Sequence, residues 1–195
     1  MQRNDDRANP LPASPGAQGK GESMIPIRRA TLLDAATLAE LGAATFVETF
    51  GHLYTPEDLQ AFLDESHTVE AYAKTLANPD YALWLAELDG RAVGYAQAGP
   101  CGLPHADVCP QDGELKRLYI RADMQNSGSG RALMDAAMAW LLRDGPRTLW
   151  LSVWSENLGA QRFYARYGFA FAGEYEFIVG AQRDREFMYR RPAQA

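Results

Sequence analysis

ELKRLYIRADMQNSGSGR, residues 114–131, joins the pattern of a buried strand to the pattern of a helix N-terminus. Residues 118–120 (Leu-Tyr-Ile) form an apolar β-type run, and after a short polar turn residues 125–130 (Gln-Asn-Ser-Gly-Ser-Gly) open an amphipathic helix. The first backbone N–H groups of a helix lack intrahelical partners and lie at the positive end of its dipole, so glycines there let an anion approach. The stretch therefore predicts a phosphate-binding site.

Two common phosphate-binding loops do not fit this segment. A P-loop needs Lys-Ser or Lys-Thr after its last glycine, whereas Gly130 precedes Arg131 and Ala132. A dinucleotide-binding loop has a third Gly or Ala where this chain has Leu133. The glycine-rich turn alone is weak evidence, and a tight turn into a helix is the structural alternative.

The composition indicates one soluble, cytoplasmic, globular domain. The chain has 195 residues, of which 47% are hydrophobic, enough for one substantial core. No window approaches the roughly 20 apolar residues of a membrane span, and no signal-peptide pattern is present. The net charge of −6 disfavours nucleic acid as the main partner and suits a cationic one. Two cysteines, Cys101 and Cys109, are too few for a disulfide framework.

The N-terminal segment differs in composition from the rest of the chain. Residues 1–23 are rich in proline and glycine and poor in large apolar groups, so they cannot compensate the entropy of ordering. We predict a disordered leader over 1–23 and one domain over 24–195. Met24 is a second candidate for the initiating residue.

The remaining chain alternates between helix and strand patterns. Asp89-Gly90 is typical of a β-hairpin turn, and a helix between two strands favours a parallel pair with a right-handed crossover. The predicted helices begin at residues 31, 55, 69, 129 and 157. The predicted strands cover 25–29, 81–88, 91–99, 114–120, 148–154, 169–178 and 184–190.

Four separated motifs occur in one order along the chain: Gln125-x-x-Gly128-x-Gly130 after the strand 118–120, then Asn157, then Phe163-Tyr164, then Tyr167-Gly168-Phe169. This constellation resembles the GNAT superfamily of acetyl-CoA-dependent N-acetyltransferases, over residues 25–190. The resemblance implies an α/β fold with a mixed, mostly antiparallel sheet flanked by helices and two splayed parallel central strands. Residues 49–51, 57–59, 150–154, 177–184 and 188 look like the bacterial polyamine-type (PaiA-type) branch.

The resemblance also implies how acetyl-CoA would bind. In such proteins the cosubstrate enters the gap between the splayed strands, with its pyrophosphate on the amides of residues 125–131. Its pantetheine arm would pair with the strand 118–120, where an amide would polarise the thioester carbonyl. The implied cofactor-binding residues are Leu118, Tyr119, Ile120, Gln125, Asn126, Ser127, Gly128, Ser129, Gly130, Arg131, Asn157 and Tyr164.

Two residues are implied as catalytic. Tyr164 matches the tyrosine that protonates the departing thiolate; a packed aromatic is the structural alternative, and Tyr167 is the competing tyrosine. Glu114 lies where some members carry a glutamate that takes a proton from the attacking amine, and a solvated strand-start carboxylate is the equal alternative. An amine attacks only when neutral, so a base or a water chain is required.

Some positions need a separate interpretation. Asn126 and Ser129 depart from the usual loop of the superfamily, which carries Gly or a basic residue at the first position and an apolar residue at the second.

Cys101, His105 and Cys109 form C-x3-H-x3-C, which has too few ligands and the wrong spacing for a structural zinc site. We therefore expect no metal.

Only the charge of one segment of the chain indicates which molecule accepts the acetyl group. Six acidic residues and one basic residue lie between Glu48 and Lys74, which would attract a cationic amine, although an acidic solvated helix face is the alternative. We predict direct acetyl transfer from acetyl-CoA to a small-molecule primary amine, with a polyamine such as spermidine as the leading acceptor. Protein N-termini, antibiotics and amino acids are alternative acceptors, and a non-catalytic acyl-CoA-binding module is the alternative function. A homodimer is an expectation by analogy.

Overall fold

The computed structural model describes residues 25–194, so the predicted leader and Met24 lie outside the described residues. The strands are β1 Ile27–Arg29, β2 Ala82–Leu88, β3 Arg91–Pro100, β4 Gly113–Ile120, β5 Leu149–Trp154, β6 Ala170–Val179 and β7 Gln182–Arg191. The helices are α1 Ala35–Phe50, α2 Pro56–Ser66, α3 Val69–Ala77, α4 Ser129–Leu141 and α5 Leu158–Ala165.

The seven described strands form one sheet in the order β1-β2-β3-β4-β5-β7-β6. The β4–β5 pair is parallel, and the other neighbouring pairs are antiparallel. This arrangement confirms the predicted α/β fold with a mixed, mostly antiparallel sheet. The parallel pair is joined by α4, as the helix between the two strand patterns predicted.

Helices cover both faces of the sheet and bury a separate apolar cluster on each. On one face, α1 and α3 pack against β2 and β3 through Leu38, Tyr72, Leu85 and Tyr95. On the other face, α4 and α5 pack against the centre of the sheet through Leu133, Met134, Leu151 and Tyr164. Most of the predicted site residues lie near the centre of the sheet, at the end of β4 and in the segments that follow β4 and β5.

The predicted element boundaries are correct at the strongest local signals. Thr55 and Thr68 cap α2 and α3, accepting hydrogen bonds from Asp58 N at 3.2 Å and Ala71 N at 3.1 Å. The helix predicted from Thr31 begins instead with a short 3-10 turn over residues 32–34, before α1. The reason is that Asp34 turns its carboxylate back toward the preceding chain.

Asp34 ties the beginning of α1 to the edge of the sheet. Its carboxylate accepts a hydrogen bond from Thr31 N at 2.8 Å and two from the Arg28 guanidinium at 2.7 and 2.9 Å. Arg28 also donates to Glu87 on β2 at 2.7 and 2.9 Å. The Arg28 guanidinium holds the pKa of the Asp34 carboxyl far below its usual 3.8. The ionised carboxylate therefore stabilises the fold fully above pH 3.8, and this stabilisation declines progressively as the pH falls below that value.

Replacing Asp34 by Asn should lower the free energy of unfolding by about 1–3 kcal/mol at pH 7, because it removes a charged hydrogen-bond partner that is largely buried. Urea unfolding at pH 7 and pH 3 measures the effect, and the difference from wild type should shrink at pH 3. Asp144→Asn is the control, since the Asp144 side chain is 80% exposed beside Arg143. An equal loss of stability in both variants would contradict the prediction.

Candidate active site

A cavity of about 630 Å³ opens at the centre of the sheet, where β4 and β5 separate. The two strands pair over three residues each, 113–115 with 149–151, and the described register contains no pair beyond them. From Arg117 to Ile120, β4 pairs with β3 on one edge, and its other edge faces the cavity. Leu118, Tyr119 and Ile120 are part of the lining. A gap of this volume suits a small-molecule ligand.

The loop before α4 brings a row of free backbone amides to this cavity. Asn126 and Gly128 have φ angles of 63° and 88°, which turn the chain sharply into the helix. Among residues 25–194, no acceptor receives a hydrogen bond from the amides of Asn126, Ser127, Gly128, Gly130 and Arg131. The first bond of the helix runs from Ala132 N to Gly128 O at 3.1 Å. Free amides at the positive end of a helix dipole are suited to binding phosphate.

The two unusual loop residues have structural explanations. Asn126 takes a left-handed backbone conformation, which asparagine tolerates better than most residues. Ser129 is buried, and its Oγ lies 2.7 Å from Ser127 Oγ, while the Ser127 hydroxyl contacts Met124 O at 2.6 Å. Neither serine is in the cavity lining, so they brace the loop from behind.

Gly130 lies in the first turn of α4 and lines the cavity. A Cβ atom at this position would meet Ile120 Cγ1 at 3.8 Å, an ordinary van der Waals contact. The fold itself therefore does not require glycine here. The missing side chain instead leaves space in which a ligand can approach the amides.

Tyr164 reaches the same cavity from α5. The residue is 8% exposed, and burial raises the pKa of its phenol above the ordinary value, so the hydroxyl keeps its proton at neutral pH. Tyr167 is outside the lining, and its hydroxyl donates to Asp135 at 2.8 Å. The geometry therefore favours Tyr164 over Tyr167 as a proton donor in the cavity.

Asn157 and Arg131 combine structural contacts with a place in the lining. Asn157 is the N-cap of α5, where its Oδ1 accepts a hydrogen bond from Ala160 N at 3.0 Å. The Arg131 side chain is 82% exposed and lies 3.7 Å from Asp135. Asn157 therefore lies beside the gap, and the Arg131 guanidinium lies at its solvent side. Gln125 completes the loop residues that line the cavity.

The structure does not bring Glu114 to the cavity. Its carboxylate is buried, and Oε2 accepts hydrogen bonds from Lys116 Nζ at 2.7 Å and Gly102 N at 2.8 Å. Residues 115–120 of the same strand line the cavity, but Glu114 does not. The expectation that Glu114 is the base therefore has no geometric support, because an ammonium ion and a backbone amide already occupy this carboxylate.

Two carboxylates that were not among the predicted site residues line the cavity instead. Asp184 and Glu186 alternate along β7, and Tyr54 donates a hydrogen bond to Asp184. Burial raises the pKa of Glu186 to about 7, and the charge of Asp184 acts in the same direction. Residues two apart in a strand share a face, so the sequence could have paired these carboxylates. It could not have shown which face was turned inward.

The acidic stretch predicted to attract an amine has a different arrangement. Of residues 48–74, those in the lining carry no carboxylate, and three are the aromatic residues Phe50, Tyr54 and Phe62. Glu48 accepts a hydrogen bond from Ala122 N at 2.9 Å and forms an ion pair with Arg121 at 3.1 Å. This contact ties α1 to the turn after β4, so Glu48 has a structural role.

Within residues 25–194, no group of three or more His, Cys, Asp or Glu side chains is placed to hold a metal ion. His105, between the two cysteines, is occupied at both ring nitrogens. Nε2 lies 3.2 Å from Ala172 O, and Nδ1 accepts a hydrogen bond from Asp107 N at 3.0 Å. In the same range, no helix combines the length and apolar character needed to cross a bilayer.

Comparison with known proteins agrees with this geometry. Residues 46–169 match the acetyltransferase (GNAT) family. An uncharacterised N-acetyltransferase of Mycobacterium bovis is 33% identical over 160 residues, which cover 82% of this chain and 98% of that protein. A probable spermine N(1)-acetyltransferase of Bacillus subtilis subsp. natto is 32% identical over 92 residues, 46% of this chain and 59% of that protein.

A solved structure has the same fold. The PaiA N-acetyltransferase of Thermoplasma acidophilum, crystallised in complex with coenzyme A, has a TM-score of 0.68 and 20% identity, over 86% of this chain and 98% of that chain. The gap between two parallel strands, together with these matches, defines the class of protein. The chain belongs to the GNAT family of acetyltransferases, and it is an acetyl-CoA-dependent N-acetyltransferase.

Replacing Gly130 by Ala should weaken CoA binding by about 10- to 100-fold, because the methyl group hinders an anion at the free amides and a charge-assisted hydrogen bond is worth about 1.5–3 kcal/mol. Calorimetric titration with CoA measures the affinity. The melting temperature should stay equal or rise slightly, since alanine favours helix. Unchanged CoA affinity in the folded variant would contradict a phosphate site at this loop.

Proposed function

We propose that this N-acetyltransferase transfers acetyl directly from acetyl-CoA to a primary amine of a polyamine such as spermidine, in a ternary complex. The observation that carries the proposal is the wall of the cavity on the α1 and α2 side, which combines aromatic rings with Asp184 and Glu186. A polyamine alternates ammonium groups with short methylene chains. Carboxylates attract the ammonium groups, and aromatic faces pack the methylenes and attract cations.

The aromatic part of this wall is tightly assembled. Phe46 stacks on Phe62 with ring centroids 4.5 Å apart and on Tyr54 at 5.9 Å. Phe62 in turn meets the edge of Phe177 on β6 at 5.8 Å. Because these rings come from α1, the segment after it, α2 and β6, the acceptor would be enclosed from several sides. This enclosure favours a slender, flexible chain.

Each group of predicted cofactor-binding residues contacts a different part of acetyl-CoA in this proposal. The amides of residues 125–131 bind the pyrophosphate, with Arg131 beside it, and the free edge of 118–120 pairs with pantetheine. An amide of that edge polarises the thioester carbonyl. Asn157 contacts the cofactor arm, and Tyr164 protonates the departing thiolate.

The relative named as a probable spermine N(1)-acetyltransferase supports a polyamine acceptor, and we place the chain in the PaiA-type branch on the sequence features that resemble it. The domain boundary at residue 24, a cytoplasmic location and a homodimer stay predictions from the sequence.

One observation favours a second acceptor class, an amine that also carries a carboxylate, such as an amino acid. Arg117 lines the cavity, and no carboxylate among the described residues forms an ion pair with it. Its Nη1 donates to Tyr72 Oη at 2.8 Å. A guanidinium without an ionic partner can bind a carboxylate of the acceptor.

Comparing acceptors separates these classes. We expect spermidine to be acetylated faster than lysine, kanamycin or an alanyl peptide, because lysine and the peptide carry a carboxylate and kanamycin is too bulky for a narrow aromatic wall. Release of the CoA thiol, followed with a chromogenic disulfide, measures each rate. Faster turnover of lysine, lost in Arg117→Met, would establish the second class instead. Absence of spermidine turnover would reject the polyamine assignment.

Replacing Tyr164 by Phe should lower kcat about 100-fold or more while the affinity for CoA stays unchanged, because only the proton donor is removed. The rate of CoA thiol release measures kcat, and calorimetric titration measures the affinity for CoA. Tyr167→Phe is the matched comparison and should keep wild-type kcat, since its hydroxyl binds Asp135 outside the cavity. CoA binding without turnover of any amine in the wild-type protein would indicate the non-catalytic module.

A further inference from the structure

Glu186 lies in the middle of an antiparallel ladder beside the gap. The register pairs it with Trp154 at the end of β5 and with Tyr175 on β6, and such cross-strand partners share a face of the sheet. Trp154 meets the edge of Phe50 on α1, with ring centroids 5.8 Å apart. Glu186 therefore points to the face that α1 covers, where it lines the cavity.

Tyr164 approaches the cavity from the opposite face. It belongs to the apolar cluster that α4 forms with Leu151 and Val153 of β5. Val153 lies between Ser152 and Trp154 in the sequence, and alternate strand residues point to opposite faces. A thioester held in the gap would therefore have Tyr164 on one side and Glu186 on the other.

We propose that Glu186 is the general base that takes a proton from the acceptor amine, an assignment that rests on the proposed acetyltransferase site. The role expected for Glu114 thus passes to a carboxylate on β7. Glu186 belongs to the cavity wall that would receive the acceptor, whereas Glu114 is held by Lys116 and Gly102 outside the cavity. A base must come within hydrogen-bond reach of the amine, so its position is the first requirement.

The groups around Glu186 leave its carboxylate without a cation. It faces Asp184 on its own strand, Tyr54 from the segment after α1, Tyr119 from β4, Tyr164 from α5 and Tyr175 from β6. The pKa values of all four phenols are raised by burial, so these groups stay neutral near pH 7. His67, also in the lining, has its pKa lowered by burial to about 3 and is neutral as well.

Among the described residues, no Lys or Arg side chain of the lining forms an ion pair with Glu186. Lys116 pairs with Glu114, Arg117 donates to Tyr72, Arg131 lies beside Asp135, and Arg166 lies over the Phe163 ring. Arg185, next to Glu186 in the chain, pairs with Glu174 at the surface. The amine of the acceptor is therefore the cation that Glu186 would meet.

Burial in this setting raises the pKa of Glu186 to about 7, while the nearby Ser152 hydroxyl acts in the opposite direction. A carboxylate of ordinary pKa is too weak a base for an ammonium ion, and one that titrates near the working pH accepts a proton more readily. The same burial that makes the ionised form costly therefore makes Glu186 a stronger base.

The protons balance as follows. The acceptor ammonium gives one proton to Glu186, and its neutral nitrogen forms a C–N bond with the thioester carbonyl carbon as the C–S bond breaks. Tyr164 gives its proton to the departing thiolate and recovers one from the second proton of the nitrogen through water. Glu186 then releases its proton to solvent. The products are an N-acetylated amine, free CoA thiol and one proton.

Replacing Glu186 by Gln tests the assignment through the pH profile of kcat/KM, measured with acetyl-CoA and the fastest acceptor of the panel above. Wild type should show a rising limb with an apparent pKa near 7. In the variant this limb should disappear and kcat at pH 8 should fall about 100-fold or more, with CoA affinity unchanged. Glu174→Gln, on the neighbouring strand, is the matched control and should keep both rate and limb.

Two further variants keep the test decisive. Glu186→Asp should retain the rising limb at a reduced kcat, because it keeps a carboxylate at a greater distance; loss of the limb in this variant would overturn the assignment. A rising limb that persists in Glu186→Gln, or that disappears in Glu114→Gln instead, would also overturn it. Failure of wild type to bind CoA would reject the proposed acetyltransferase site itself, and that outcome is separate from any effect of Glu186.

The melting temperature of Glu186→Gln distinguishes a base from a structural carboxylate. The folded-state pKa of Glu186 is raised from 4.5 to about 7, so the native protein loses stability as the pH rises from 4.5 to about 7, and the loss stays complete above pH 7, where this partly buried carboxylate is ionised. The variant should therefore melt above wild type at pH 8 and close to wild type at pH 5. A lower melting temperature at pH 8 would identify a structural ion and contradict the proposal.

Discussion

The separation of β4 from β5 is the constraint on which the rest of the structure depends. Parallel strands that diverge leave backbone donors and acceptors without a ladder partner, and burying such groups costs free energy. In this chain β4 stays paired with β3, and β5 stays paired with β7, so each strand is held from its outer side. The inner edges then face a cavity instead of a dry core. A ligand that pairs like an extra strand would satisfy them.

The position of the loop before α4 follows from the same geometry. Because β4 ends at Ile120 beside the gap, the crossover helix α4 must begin there, and its N-terminus faces the cavity. The left-handed residues Asn126 and Gly128 turn the chain into the helix within a few positions, and the contact between Ser127 and Ser129 holds the turn. The positive end of the helix dipole is therefore placed beside the free strand edge by the topology.

Local sequence patterns predicted the parts of the fold that local physics determines. The helix start at Thr55 and the Asp89-Gly90 turn depend on residues within three or four positions of one another. The loop before α4 is also local, since its amides are left free by the helix geometry itself. Tyr164 could be picked from a motif, and the structure places it in the cavity.

The carboxylates could not be assigned in this way, because their environments depend on distant parts of the chain. Glu114 is fixed by the Gly102 amide across a loop, and only its other partner, Lys116, was visible as a near neighbour. Glu186 is partly buried because its pairing with Trp154 and Tyr175 turns it toward the face that α1 covers. Alternation along β7 groups Asp184 with Glu186, but the inward direction of that face is set by the pairing of β7 with β5.

Asp184 and Glu186 on β7 line the same cavity, but their surroundings differ. Asp184 accepts hydrogen bonds from Tyr54 and from Gln182 at 3.2 Å, so its negative charge has donors to stabilise it. Glu186 lies between aromatic rings, with Ser152 as its polar neighbour, and the charge of Asp184 opposes its ionisation. Partial burial and the neighbouring Asp184 charge both raise the pKa of Glu186. In the mechanism proposed above, Asp184 would attract a cationic acceptor and Glu186 would receive the acceptor's proton. The partial burial of Glu186 thus lowers the stability of the protein once the carboxylate is ionised, and by raising its pKa makes it a stronger base.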